Sequence, residues 1–245
     1  MMMTTFFKIK KLITVSCVII FTHQLQGQIT QGKILYERKV NLWKKFPDEN
    51  IKQWIKESDK IKIENFELYF NDSQSIFKVV ESPIQDPMAW ATTKNLVYQN
   101  SASNYRVTVK NVWGENFYIE DSLRKRTWKI TDSKRKIAGY NCRKAIWYAD
   151  DTTRIYAWYC EEIIPPVGPE SFTGLPGAIL GLATEDGSVV YFAKKIEAYK
   201  PDMESLIPKL GKKVFTTLEL KTKLEKDFGK HPYYKMMVRE LFELW

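Results

Sequence analysis

The residues that could do chemistry are few. Two histidines occur in 245 residues, and one of them, His23, falls in an N-terminal segment that reads as a leader. A Ser-His-Asp or Cys-His arrangement would therefore have to use His231. That residue precedes Pro232 near the end of the chain, and no Gly-x-Ser-x-Gly elbow exists to partner it, so it reads as a surface histidine. No Cys-x-x-Cys or His-Glu-x-x-His is present, and the residue types of an ordinary zinc site are lacking. Met236-Met237 with His231 could offer soft ligands to a metal such as Cu(I). Adjacent methionines on a helix point different ways, however, and packing is the simpler reading. No cofactor and no metal site are expected. Carboxylates are plentiful as doublets: Glu161-Glu162, Asp150-Asp151 and Glu185-Asp186. Glycoside hydrolysis needs two acids facing one another across the scissile bond, and adjacent acids at turns do not. Glu161-Glu162 is the doublet from which a hydrolase acting on peptide or glycan would start; a solvated charge pair is the plainer alternative. No catalytic residue is assigned.

Two further groups carry information. Trp147, Tyr156 and Trp158 belong to an aromatic crowd on two neighbouring strands, and they are the candidate ligand-contacting residues, with core packing as the alternative. Cys142 and Cys160 flank the turn-type cluster Asp150-Asp151-Thr152. A hairpin centred on Asp151 would set Ile146 opposite Tyr156, Ala145 opposite Ala157 and Cys142 opposite Cys160. Opposed Cβ atoms lie about 4.5–5.5 Å apart, close enough for a disulfide to form with modest adjustment. Two buried free thiols are the alternative.

The elements that must position these residues are mostly short strands between turn signals. Strand patterns occur at 34–40, 66–70, 76–80, 96–99, 105–109, 116–119, 128–131, 137–148, 154–160, 178–183 and 189–196, and residues 47–56 read as a short helix. Most links are too short for parallel crossovers, so the sheet should be antiparallel. The expected fold is mainly β (α+β): a curved antiparallel sheet or open half-barrel with short helices. A C-terminal helical annex follows, from an amphipathic helix over 217–228 and a second helical stretch over 233–245. Between strands, Pro165, Pro166, Gly168, Pro169, Gly174, Pro176 and Gly177 define an irregular segment of specified shape. Gly174, Leu175, Pro176 and Gly177 form its structural motif.

At the N-terminus Lys8, Lys10 and Lys11 precede an apolar run of ten, Leu12 to Phe21, too short to span a membrane as a helix. That order reads as a secretory signal peptide cleaved near Gly27; a lipid-modified Cys17 is the alternative. The division expected is signal peptide 1–27, β domain 28–200 and C-terminal extension 201–245. The formal charge of +9 reads as a solvated surface. An exported protein would have no nucleic-acid partner.

Phe172, Gly174-Leu175-Pro176-Gly177 and Ile179-Leu180 together resemble the GLPGLI family of secreted Bacteroidetes proteins. Trp128-Lys129-Ile130, Lys136 to Cys142, Lys144-Ala145 and Ala157-Trp158-Tyr159 extend the resemblance over roughly residues 30–200. Ala178 stands where the family usually has Leu, and Cys160 where it often has Thr. The resemblance implies export to the periplasm or outer membrane and a half-barrel similar to that of periplasmic lipoprotein carriers. It implies no activity and no catalytic residue. The function expected is a non-enzymatic envelope protein that binds an apolar or peptide ligand, or an envelope partner protein, with peripheral membrane contact through the C-terminal helices as a further option. The alternatives are the hydrolase above and a structural component at the outer membrane.

Overall fold

The computed structural model describes residues 27–83, 86–112, 114–150, 153–238 and 241–242. The leader expected over 1–27, with Cys17, lies outside the described residues except for Gly27.

Two meanders make up the molecule. The first runs through β1 (Gly32–Asn41), β2 (Ile61–Phe70), β3 (Gln74–Val79), β4 (Leu96–Asn100), β5 (Tyr105–Val112) and β6 (Glu115–Asp121). The second runs through β7 (Lys129–Ile137), β8 (Tyr140–Tyr148), β9 (Arg154–Cys160), β10 (Ala178–Thr184) and β11 (Val189–Ala198). Each strand pairs antiparallel with the next in sequence. The meanders join where β1 lies against β11, giving one open sheet of 12 strands once the two-residue β12 (Val214–Phe215) is added. β12 pairs parallel to β6, so the sheet is mixed and not purely antiparallel as expected.

The hairpin chemistry follows the residues. In the β2–β3 turn Asn71 Oδ1 accepts from Ser73 N and Gln74 N, an Asx-type turn. Gly187 at φ 67° completes the β10–β11 turn. The stretch read as one strand over 137–148 is in fact divided. Ala138 at φ 48° and Gly139 at φ 90° make a two-residue turn with positive φ at both positions. Ile137 thereby ends β7 instead of starting β8.

Register sorts the side chains. One row runs Phe77, Val97, Thr108, Ile119 across β3 to β6; the adjacent row, Ile76, Tyr98, Val107, points to the opposite face. The first face continues through Leu68, Phe66, Tyr36, Tyr191, Leu182 and Ala157 into the main core. We call it the covered face. Segment 161–177 lies over its middle and buries Ile163, Phe172 and Leu175. Short helices α1 (Leu42–Lys45) and α2 (Glu49–Lys52) bury Leu42 and Ile51 in the same core. On the opposite face α3 (Met203–Leu206) sets Met203 against Ile76, Tyr98 and Val107.

The amphipathic helix expected over 217–228 is α4 (Thr217–Phe228). A capping box of Thr216 and Glu219 starts it. Leu220 and Leu224 pack with Val112, Phe117, Ile119, Phe215 and Leu241. α5 (Tyr234–Val238) falls in the stretch expected to be helical over 233–245, of which residues 239–240 and 243–245 lie outside the described residues. The residues after β11 are not purely helical, because they also contribute β12 to the sheet edge.

Candidate functional site

Period-two alternation explains why charged side chains enter the covered face. Arg38 has the parity of Ile34, Tyr36 and Val40; Lys62 and Glu64 have that of Phe66, Leu68 and Phe70; Lys110 and Arg106 have that of Thr108. Arg38, Lys62, Glu64 and Lys110 are all at least nine-tenths buried. A buried charge without partners would be too costly to hold, so each must be met.

Arg38 is met by direct opposition. Glu64 and Tyr191 are its cross-strand partners on β2 and β11. Its Nε donates to Glu64 Oε2 at 3.1 Å and its Nη1 to the Tyr191 hydroxyl at 3.2 Å. Tyr191 in turn donates to Glu170 Oε1 at 2.7 Å, and Asn95 Nδ2 donates to Glu170 Oε2 at 2.9 Å. Burial opposes the charge on Arg38, but Tyr191, Glu64 and Glu170 around it more than offset that and hold its pKa above the usual range. Burial likewise opposes the Glu64 carboxylate, and Arg38 with Lys62 and Thr92 still pulls its pKa below normal.

Glu170 is delivered by the Pro/Gly segment and is 1% exposed at φ 56°, a conformation that costs a non-glycine residue. Its neighbour Ser171 accepts from Arg126 Nη1 at its carbonyl (2.7 Å) and from Arg126 Nη2 at its hydroxyl (2.9 Å). The segment is pinned at its end by Gly177, at φ 129°, where an added Cβ would sit 2.1 Å from the Cys160 carbonyl oxygen. Gly174, at φ 91°, has no such crowding; the nearest atom to its would-be Cβ is Trp128 Nε1 at 3.7 Å. The Trp128 indole also donates to the Thr173 carbonyl at 2.9 Å. Leu175 is buried while Pro176 is exposed.

Beside Glu170 and Ser171 lies a cleft of about 180 Å³. Its floor is Val97, Arg106, Thr108, Lys110 and Ile119 of the sheet. Glu170 and Ser171 line it from the Pro/Gly segment, and Thr217, Leu241 and Phe242 from the C-terminal part; Asn95 and Arg124 complete it. Arg106 Nη2 pairs with Asp121 at 3.3 Å, and Asp121 also accepts from Thr217 Oγ1, fixing the start of α4 above β6. Among the described residues, the Nε of Arg106 and that of Arg126 are buried without a hydrogen-bond partner. Burial, then the nearby Arg106, pulls down the pKa of Arg124; burial, then Arg124 and Arg106, pulls that of Arg126 to about 9. The cleft can thus supply positive charge, hydroxyls and a short apolar wall to something small.

The aromatic candidates do not share one surface. Trp147 stands opposite Ile155 and Ile146 opposite Tyr156, so Trp147 and Tyr156 point to opposite faces. Trp147 is 8% exposed and packs on Phe172 at 5.9 Å, with the Arg124 and Arg126 guanidinium groups each 5.1 Å from its ring. It borders the cleft without lining it. Tyr156 donates to Glu185 at 3.0 Å, and Trp158 packs against Phe192 at 5.9 Å on the far face. A shallow depression of about 400 Å³ on that face is lined by Phe192 and by charged residues including Glu37, Lys39 and Lys194.

The cysteine register is as expected: Ala145 pairs with Ala157, Ile146 with Tyr156, and the last pair is Arg143 with Tyr159, one residue short of Cys142 and Cys160. The expected disulfide is not made. Both are buried free thiols, and the Cys142 sulfur turns along its own strand to the Tyr140 carbonyl at 3.6 Å. Burial, then the neighbouring Cys160, pushes the Cys142 thiol up to about 12.

Glu161 is an exposed residue paired with Arg143 at 3.5 Å, far from what a buried catalytic acid would need. His231 is exposed and lies beside Tyr233. Among the described residues, no group of three or more His, Cys, Asp or Glu is arranged to hold a metal.

A family model described as a protein of unknown function (Porph_ging) matches residues 147–181, from the end of β8 through the Pro/Gly segment into β10. No curated protein matches the chain. Among solved structures, it is similar to PNGF-II in two space groups. For the C2 form the TM-score is 0.54 at 20% identity, and for the P21 form 0.56 at 19%. Each match covers 80% of this chain and 33% of the other, so the chain spans about a third of the length of those proteins. At that identity the likeness is one of fold.

Proposed function

We propose that this chain is a non-enzymatic binding protein of the cell envelope that holds a small ligand in the cleft between segment 161–177 and the C-terminal helices. The observation that carries the reading is Glu170: a buried carboxylate in a left-handed backbone conformation, oriented by Tyr191 and Asn95, and lining the cleft. Strain of this kind persists where surroundings over-determine it, and it clusters at ligand sites. Drug-sized ligands fill about 300–1,000 Å³, so a cleft of about 180 Å³ suits a much smaller molecule or one terminal residue of a peptide. Its mixed lining suits a polar ligand better than a wholly apolar one. Export rests on the basic-then-apolar leader, and membership of the GLPGLI family on the Gly174–Gly177 motif and its upstream companions.

With Glu161 exposed and paired with Arg143, a hydrolase reading would rest instead on Glu64 and Glu170, the two buried carboxylates that converge on Arg38. A general acid needs a raised pKa, and Arg38 lowers that of Glu64.

Native mass spectrometry of protein isolated from its own envelope tests the proposal. A retained small molecule is expected, with slowed amide exchange in β5 and at the start of α4. Protein that retains nothing, and whose exchange in those elements is unchanged by its own envelope extract, would overturn it.

A further inference from the structure

The geometry points to an anionic group, carboxylate or phosphate, as the part of the ligand that Arg106, Lys110 and Arg124 receive, with Arg126 behind them. The inference rests on the cleft being the binding site and names the chemistry that the cleft selects.

Three observations support it independently of one another. The first is placement. Arg106 and Lys110 stand two strand positions either side of Thr108, on the face that forms the cleft floor, and Arg124 lines the same space. The second is incomplete satisfaction. Arg106 has one carboxylate partner, Asp121, yet its Nε donor is buried and unmet; Arg126 spends both terminal nitrogens on Ser171, and its Nε is likewise buried and unmet. Orphaned buried donors on guanidinium groups are costly, and each calls for an acceptor such as an ordered water, an ion or a ligand group. The third is mutual repulsion: Arg106 disfavours the charge on Arg124, and both disfavour that on Arg126. An anion placed among them would relieve all three at once.

The guanidinium fork favours a planar or tetrahedral oxyanion that can accept two parallel N–H bonds. The hydroxyls of Thr108, Thr217 and Ser171 would serve the remainder of the ligand. Carboxylate and phosphate share this chemistry, and the test separates them.

The experiment is thermal unfolding and calorimetric titration of the mature protein at low ionic strength with inorganic phosphate, with acetate and, as a neutral control, with acetamide. Wild type is expected to bind phosphate or acetate and to ignore acetamide; the anion that binds more tightly assigns the source. Arg124→Gln and, separately, Arg106→Gln should weaken that binding at least tenfold. Arg124→Lys should lose less than Arg124→Gln, and Arg154→Gln, a surface arginine paired with Glu185, should lose nothing. Should either variant misfold, the other and the lysine variant still decide the matter. Equal anion binding by Arg124→Gln, Arg106→Gln and wild type would overturn the inference. So would a neutral molecule retained from the envelope with no response to either anion; in that outcome the cleft remains a binding site and only its anion selectivity falls.

Discussion

Two groups of buried and half-buried cations lie on the covered side of this sheet, and they are treated differently. Arg38 sits between strands that each place a partner directly opposite it, Glu64 on one side and Tyr191 on the other. Its charge is matched by the ladder itself. Arg106, Lys110, Arg124 and Arg126 gather a few strands away; of these, Arg106 has a cross-strand carboxylate, Asp121. The surroundings raise the pKa of Arg38 and lower those of Arg124 and Arg126. A matched buried charge fixes strand register, whereas a crowded one prepares a place for something else. Glu170 and Ser171 are consecutive residues, and they serve the first group and the second respectively.

The largest effect that would break this contrast is at Arg38. Replacing it by Met leaves Glu64 buried with its main counter-charge gone, which should lower stability by about 3–5 kcal/mol in urea denaturation. Adding Glu64→Gln should recover part of that. A loss well under 1 kcal/mol would mean that the first group is no more structural than the second.

Gly177→Ala comes next, since it disturbs the segment that feeds both groups. The new Cβ meets a backbone carbonyl at 2.1 Å and the φ of 129° is unfavourable for alanine. The cost should exceed the ~1 kcal/mol of an ordinary exchange between these residues, with anion binding weakened as well. Wild-type melting of this variant would show that the segment's path does not depend on the close approach.

The pH dependence comes last, where the two groups should respond at opposite ends of the scale. Glu64 has a folded pKa below its unfolded value of 4.5. Its contribution is therefore present above that pH and is lost as pH falls through the folded value. Burial and the neighbouring Arg124 and Arg106 bring Arg126 from the usual arginine range down to about 9 on folding, so between the two the unfolded chain binds the extra proton. Stability from this group then rises with pH above about 9. Compared with Arg126→Gln, wild type should gain relative stability from pH 9 upward. Compared with Glu64→Gln, it should lose relative stability below pH 4.5. Parallel curves for either pair, measured by urea midpoints, would remove the distinction.

Most strands were legible because alternation and turn residues agree along the chain. The β8–β9 register followed from the Asp150-Asp151-Thr152 cluster alone. The division of 137–148 was missed although Ala138-Gly139 carries the glycine of a tight hairpin turn, because the apolar residues on both sides run together. β12 is two residues long and is created by packing, so no local pattern announces it. The site was less legible. Arg38, Glu64 and Lys110 read as exposed by type, and only their parity with Tyr36, Phe66 and Thr108 signals that they face inward. Glu170 was obscured by its prolines and glycines, which announce shape but not what the shape presents. The disulfide failed at a level below register: opposition of two strand positions does not fix where the sulfurs turn.

The seam between β1 and β11 has a consequence for how the chain reaches this structure. Each meander is built from neighbouring hairpins, contacts that close quickly because little chain entropy separates their ends. The seam is different: Val40 must find Val189, and Gly32 must find Ala198. Arg38 and Tyr191, the residues that meet across it, are 153 positions apart. Such a loop closes slowly, so the half-sheets should assemble first and dock later, with Arg38 unmatched on its Tyr191 side until they do. The buried network around Glu170 is then a late event, and an assay for cleft formation would report completion of folding.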